Sequence, residues 1–125
     1  MPRLIQSYFS SVKTALILST AIKHYHITRE MVKDLEGYLR IQASLVDNGQ
    51  MDIFIYVTSN LKITLEKYSF HWQDKDKKLV MRWDNAPHHR ELENFPHHLH
   101  LEGETRPSTE PHFMDVLREL ERRLK

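Results

Sequence analysis

Residues 69–84 read SFHWQDKDKKLVMRWD, two runs of alternating apolar and polar side chains around a charged tip. Side chains on a strand point alternately to opposite faces, so the run can be read as a hairpin. Centring its turn on Asp76-Lys77 sets Trp72 opposite Met81, His71 opposite Arg82, Phe70 opposite Trp83 and Ser69 opposite Asp84. One face then carries Phe70, Trp72, Met81 and Trp83, and the other Ser69, His71, Gln73, Arg82 and Asp84. Burying each large apolar side chain contributes about 1.5–3 kcal/mol. A one-residue slip would instead bury His71, Arg82 and Asp84 at a large electrostatic cost, so the apolar face fixes the register.

Upstream, Phe9, Val12, Leu16 and Ile17 share one stripe and predict a helix over Tyr8 to Thr20. Residues 21–31 fit a strand, because Tyr25, Ile27, Arg29 and Met31 alternate with His24, His26 and Thr28. A short helix around Arg29 to Leu35 is the rival reading. Asp34 to Gly37 reads as a turn, and Tyr38 to Asp47 as a strand with Leu39, Ile41, Ala43 and Leu45 on one face. Asn48-Gly49 predicts a type I′ hairpin turn, and the β-branched and aromatic run Asp52 to Thr58 is the return strand. Ser59-Asn60 ends it, and Lys62 to Asp74 leads into the central hairpin.

Downstream of Pro87 the chain reads as irregular until His97 to Leu101, a short edge strand. Gly103 to Thr109 reads as loop. A closing helix follows, with Pro111 in its first turn, Ser108 or Thr109 as cap, and a stripe of Phe113, Val116, Leu117, Leu120 and Leu124. The predicted fold class is α+β: an antiparallel sheet of five to six strands, with an N-terminal and a C-terminal helix covering one face.

The chain has 125 residues and a net charge of +1 with histidine neutral, which fits one domain without a strong basic field. It has no cysteine, so disulfides and thiolate metal sites are excluded. The apolar run from Ala15 to Leu18 is too short for a membrane span, and no signal-peptide pattern follows it. The expectation is a cytoplasmic protein that makes no membrane contact.

Six of the nine histidines, both tryptophans, Arg82 and Asp84 fall between His71 and His100. Imidazoles supply little core volume and demand partners when buried, so this density points to a chemical site. His24, His26 and His112 stand apart and read as surface residues. The candidate catalytic residues are His71, Arg82, Asp84, His88, His89, His97, His98 and His100. His98 and His100 alternate with Leu99 and Leu101, so both imidazoles point to one side and suit a divalent metal such as zinc, with His88 as the third ligand and His89 and Asp84 also in range.

Cleavage of RNA without metal needs a base for the 2′-hydroxyl, an acid for the leaving 5′-oxygen and a cation against the phosphorane charge. Histidines suit both proton transfers, each contributing about 10²–10⁴-fold, and Arg82 suits the third. No cofactor is required in that reading. A metal-dependent phosphodiesterase would instead use His and Asp to hold a water-activating ion. Nothing supports nucleophilic Ser or Cys chemistry, and three glycines form no phosphate-cradling loop.

Three strings carry a family resemblance: Tyr68 to Asp74 (YSFHWQD), Arg82 to His89 (RWDNAPHH) and Phe95 to His100 (FPHHLH), with Pro107-Ser108 following. Together they resemble the TumE family, small toxin components of prokaryotic toxin–antitoxin systems usually encoded beside a helix-turn-helix antitoxin. The resemblance is densest from Tyr68 to Leu117. It implies a single TumE-like domain over residues 1–125, a toxin function, a helix-turn-helix antitoxin as partner, and RNA as the favoured target. The alternative is a non-catalytic binding module, perhaps metal-stabilised, that captures a partner or nucleic acid.

Overall fold

A computed structural model of the chain describes residues 3–87 and 96–124. Helix α1 (Arg3–Leu18) is followed by seven strands and a closing helix. The strands are β1 (Ile22–Val32), β2 (Glu36–Leu45), β3 (Gln50–Asn60), β4 (Lys62–Gln73), β5 (Leu79–Asp84), β6 (His98–Leu101) and β7 (Glu104–Pro107), and α2 spans Phe113–Arg123. The strands form one sheet in sequence order, and every neighbouring pair is antiparallel. This is the α+β architecture read from the sequence, with seven strands in place of five or six.

The central hairpin has the expected register: Trp72 faces Met81, His71 faces Arg82, Phe70 faces Trp83 and Ser69 faces Asp84. Phe70, Trp72, Met81 and Trp83 are all buried. Both helices lie on that face. Ile5, Phe9, Val12 and Leu16 of α1, and Phe113, Val116, Leu117 and Leu120 of α2, complete the core. The Phe113 ring meets Phe70 at 5.5 Å between centroids. Ser19 Oγ donates to Glu121 at 2.6 Å and ties the end of α1 to α2.

Several boundaries differ from the sequence reading. Helix α1 begins at Arg3 rather than Tyr8, because Ile5 extends its stripe into the core. Ile5 meets the sheet at Gly37, where an added Cβ would lie 2.8 Å from Ile5 Cγ2. Ile17 falls off the stripe and is exposed. Residues 22–32 are a strand throughout, which excludes the rival helix at 29–35. β3 continues through Ser59-Asn60, and the reversal falls on Leu61, a fully exposed residue with φ 67°.

The Asn48-Gly49 turn is not type I′, since only Asn48 has positive φ (71°). The Asn48 N–H donates to the Leu45 carbonyl and the Leu45 N–H to that of Gly49, closing a three-residue loop with a left-handed residue at its end. Gly49 is required by proximity instead: a Cβ there would sit 2.7 Å from the Gln73 carbonyl oxygen. The β4–β5 turn repeats the pattern with Lys77 at φ 65°.

Residues 104–107 form an edge strand rather than loop, so β6 is not an edge. His97 lies outside β6. α2 starts two residues beyond Pro111, and its cap is His112, whose ring accepts the Met114 N–H, not Ser108 or Thr109.

Candidate functional site

The face away from the helices brings the site together by register. Asp84 pairs with His98 across β5–β6, Arg82 pairs with His100, and His100 pairs with Thr105 across β6–β7. All of these side chains share one face, while Leu99 and Leu101 point to the core with Trp83 and Met81.

Asp84 is the hub and is buried, with 5% of its surface exposed. Its Oδ2 accepts from Arg82 Nε at 2.8 Å and lies 3.3 Å from His100 Nε2. Its Oδ1 accepts the Ala86 N–H at 3.1 Å and lies 2.7 Å from His98 Nε2. That last oxygen sits off the ring N–H axis, so the approach is an ionic contact rather than a directed hydrogen bond. His98 Nδ1 is 2.8 Å from the Pro96 carbonyl, which can only accept, so this nitrogen carries a proton. His98 therefore faces oxygens at both ring nitrogens.

His100 is arranged differently. Arg82 Nη2, a donor only, is 3.1 Å from His100 Nε2, so this nitrogen offers its lone pair and the ring proton sits on Nδ1, 3.4 Å from Thr105 Oγ1. The His98 and His100 rings meet edge to face, 4.6 Å between centroids. Arg82 is thus clamped between a carboxylate and an imidazole while its side chain keeps 34% exposure. It forms part of the wall of a cleft of about 630 Å³, lined also by Phe54, Ser69, Asp84, Pro87 and Pro96.

A ligand atom from each of Asp84, His98 and His100 lies within 4.8 Å of the other two, a spacing that a metal ion can bridge. Of the further ligands expected in range, Asp84 completes this set, and His88 and His89 lie outside the described residues. The Pro96 carbonyl behind His98 is the kind of outer partner that orients a ligating imidazole. The Arg82 guanidinium, however, already engages Asp84 Oδ2 and His100 Nε2, so the donor set fits an ion only with that side chain swung away.

The other candidates fall into separate places. His71 lies opposite Arg82 on β4 and makes no hydrogen bond to a described residue. His97 stacks on Tyr68, 5.8 Å between ring centroids, with its Nδ1 2.9 Å from the phenol oxygen. Burial, with Glu110 and Asp84 nearby, pushes the Tyr68 phenol well above the usual tyrosine range, so it stays protonated and donates to His97. His88 and His89 lie outside the described residues. Asn85 is structural: its Oδ1 accepts the Tyr68 N–H and its Nδ2 donates to the Glu66 carbonyl, bridging the bulge in β4.

Sequence reasoning missed Tyr68, Thr105 and the Pro96 carbonyl as parts of the site. The YSFHWQD string contained the first, but its link to His97 depends on where β6 begins. Thr105 sits on a strand that reads as loop.

Among the described residues, no helix is long and apolar enough to cross a membrane. No curated protein and no solved structure matches the chain. Residues 12–124, from the middle of α1 through α2, match the family described as Toxin TumE, and the chain belongs to that family of toxins, which implies an antitoxin as its partner.

Proposed function

We propose that the protein is a ribonuclease toxin that cleaves RNA at the cleft beside Arg82, within a single domain acting in the cytoplasm and neutralised by a helix-turn-helix antitoxin. The observation that carries this reading is the Arg82 clamp. Asp84 and His100 occupy the Nε and Nη2 donors, which aims a partly exposed guanidinium at the cleft with further N–H groups to spare. Such a fork suits bidentate contact with a phosphate and stabilises the charge that grows on a phosphorane.

In this reading a base removes the 2′-hydroxyl proton, the 2′-oxygen attacks phosphorus, and an acid protonates the departing 5′-oxygen. The products are a 2′,3′-cyclic phosphate and a free 5′-hydroxyl. His100, held beside the clamped guanidinium through Arg82 Nη2, is the candidate base. His97 is held through Nδ1 by the Tyr68 phenol, whose ring packs with Phe70 on the helix-covered side, so the acid is sought among the histidines on the Arg82 face. His71 stands across the strand from Arg82 as a further proton carrier, and His88 and His89 complete the candidate set. His98 and Asp84 are too buried to touch substrate and act by positioning Arg82 and His100.

The test is cleavage of a labelled RNA by purified protein, alongside growth arrest on expression without antitoxin. Arg82→Ala and His100→Ala should abolish both in protein that still folds. Variants that stay fully active would rule out catalysis at this cluster and leave capture of a partner or nucleic acid in its place. A second reading, metal-dependent hydrolysis, is favoured by the close approach of the Asp84, His98 and His100 ligand atoms. Chelation that silences the protein, with metal content lost in His98→Ala, would select it.

A further inference from the structure

The sheet face that carries the Arg82 clamp continues across β1–β3, and the ladder sets its residues in order. Arg29 lies opposite Arg40, Arg40 opposite Phe54, Phe54 opposite Ser69, and Ser69 opposite Asp84. In the next row Tyr38 lies opposite Tyr56 and Tyr56 opposite Lys67. The Arg40 guanidinium sits 4.2 Å from the centroid of the Phe54 ring, and that of Arg29 is 5.8 Å from the Tyr38 ring. Among the described residues neither arginine has an ion-pair partner.

The carboxylates on this face are already engaged. Glu36 accepts from the Tyr56 phenol, Glu66 from the Thr58 hydroxyl and Asp52 from the Gln50 amide. Arg29, Arg40 and Lys67, which form no ion pair among the described residues, therefore alternate with three half-buried aromatic rings on the face away from the helices. Phe54 belongs both to this row and to the cleft wall, so the surface runs without a break into the site.

We infer that this half of the sheet is a platform for single-stranded RNA, leading the strand to Arg82; the inference rests on the cleavage reading and extends it by naming the substrate's form. Arg29, Arg40 and Lys67 meet backbone phosphates, and unpaired bases stack on Phe54, Tyr38 and Tyr56. Adjacent strands are about 4.8 Å apart, so Arg29 stands roughly 19 Å from the Asp84 position, a span of several nucleotides. A duplex hides its base faces in its own stack and could use only the cations.

The test uses the full chain and a fluorescent, unstructured 12-nucleotide RNA made of 2′-O-methyl nucleotides, which lacks the attacking hydroxyl and cannot be cleaved. Binding is read by anisotropy against salt. The Arg29→Ala/Arg40→Ala pair should weaken binding about tenfold and flatten the salt slope by roughly 1.4, since each of the two phosphate contacts on a single strand contributes about 0.7. Phe54→Ala should weaken binding at least about fivefold with the slope unchanged, as loss of a stacked base does. Lys75→Ala, at the tip of the β4–β5 hairpin, should leave affinity unchanged.

The inference is overturned if the arginine pair binds no worse than Lys75→Ala, if a duplex of equal length binds as tightly, or if the wild type does not bind the oligomer. Failure of the cleavage reading looks different. RNA captured through Arg29, Arg40 and Phe54 but never cut would keep the platform and remove the nuclease. Cutting that needs Arg82 but is indifferent to Arg29 and Arg40 would do the reverse.

Discussion

The two ends of the uncovered sheet face follow the same two-residue alternation and arrive at opposite results. On β3 the outward residues Asp52, Phe54, Tyr56 and Thr58 are half-buried, as expected of a face that meets water on one side. On β5 and β6 the outward Asp84 and His98 are 5% and 1% exposed, as buried as the core opposite them. Alternation alone therefore separates two faces but does not say which is wet. The β5–β6 end has a second, polar interior, and buried ionic groups persist only with close partners. Asp84 has four: Arg82, His98, His100 and the Ala86 N–H. One end of the face is fixed in geometry, and the other is a surface open to a ligand.

The contrast can be broken most directly at its hub. Asp84→Ala should destabilise by about 3–5 kcal/mol, because it removes the carboxylate that holds the Arg82 guanidinium and faces His98. A denaturant midpoint no lower than that of Phe54→Ala would show the two ends to be equivalent. Leu117→Ala, a fully buried truncation on the helix-covered face, sets the scale at roughly 2–5 kcal/mol. Arg82→Ala should weigh more on function than on stability: RNA cleavage falls about 10²–10³-fold, as for loss of one transition-state donor, while the melt falls less than for Asp84→Ala because His98, His100 and the Ala86 N–H still face the carboxylate. On the open end, Arg40→Ala should cost only about 0.5–1 kcal/mol, the magnitude of an exposed cation–π pair. The smallest effect is alkaline. Burial holds the Tyr68 phenol protonated in the folded chain while the unfolded chain releases its proton near pH 10. Stability is therefore intact below about pH 10 and declines above it, and Tyr68→Phe should flatten that decline in melts taken from pH 8 to 11.

Where apolar bulk decides a register, the sequence was legible. Phe70, Trp72, Met81 and Trp83 could be buried in only one pairing, and His71, Arg82 and Asp84 were thereby assigned to the other face. The spacing of His98 and His100 around Leu99 correctly put both imidazoles on one side. Elements without apolar bulk were not legible. β7 is four residues, Glu-Thr-Arg-Pro, and exists as a strand only because β6 offers its edge. With β7 unseen, Thr105 could not be joined to His100. Asn48-Gly49 signals a turn, but its type depends on the approach of the Gln73 carbonyl from a strand more than twenty residues away. The helix cap passed to His112 because a ring nitrogen could reach the Met114 N–H, which composition does not reveal. The Tyr68 and His97 pair needs three-dimensional proximity across 29 positions. His88 and His89 lie outside the described residues.

The strand order has a kinetic consequence. Every strand pairs only with its neighbours in sequence, so all six ladders close through short loops, except that between β5 and β6, which spans residues 85–97. Loop closure costs little entropy at such lengths, and a chain of this kind can zip from any hairpin outward without waiting for its ends to meet. The helices add joins between distant parts, and among the described residues the longest-range side-chain hydrogen bond runs from Ser19 to Glu121 across 102 positions. The sheet can form from nearby partners alone, whereas the clasp between the two helices needs both ends of the chain in place.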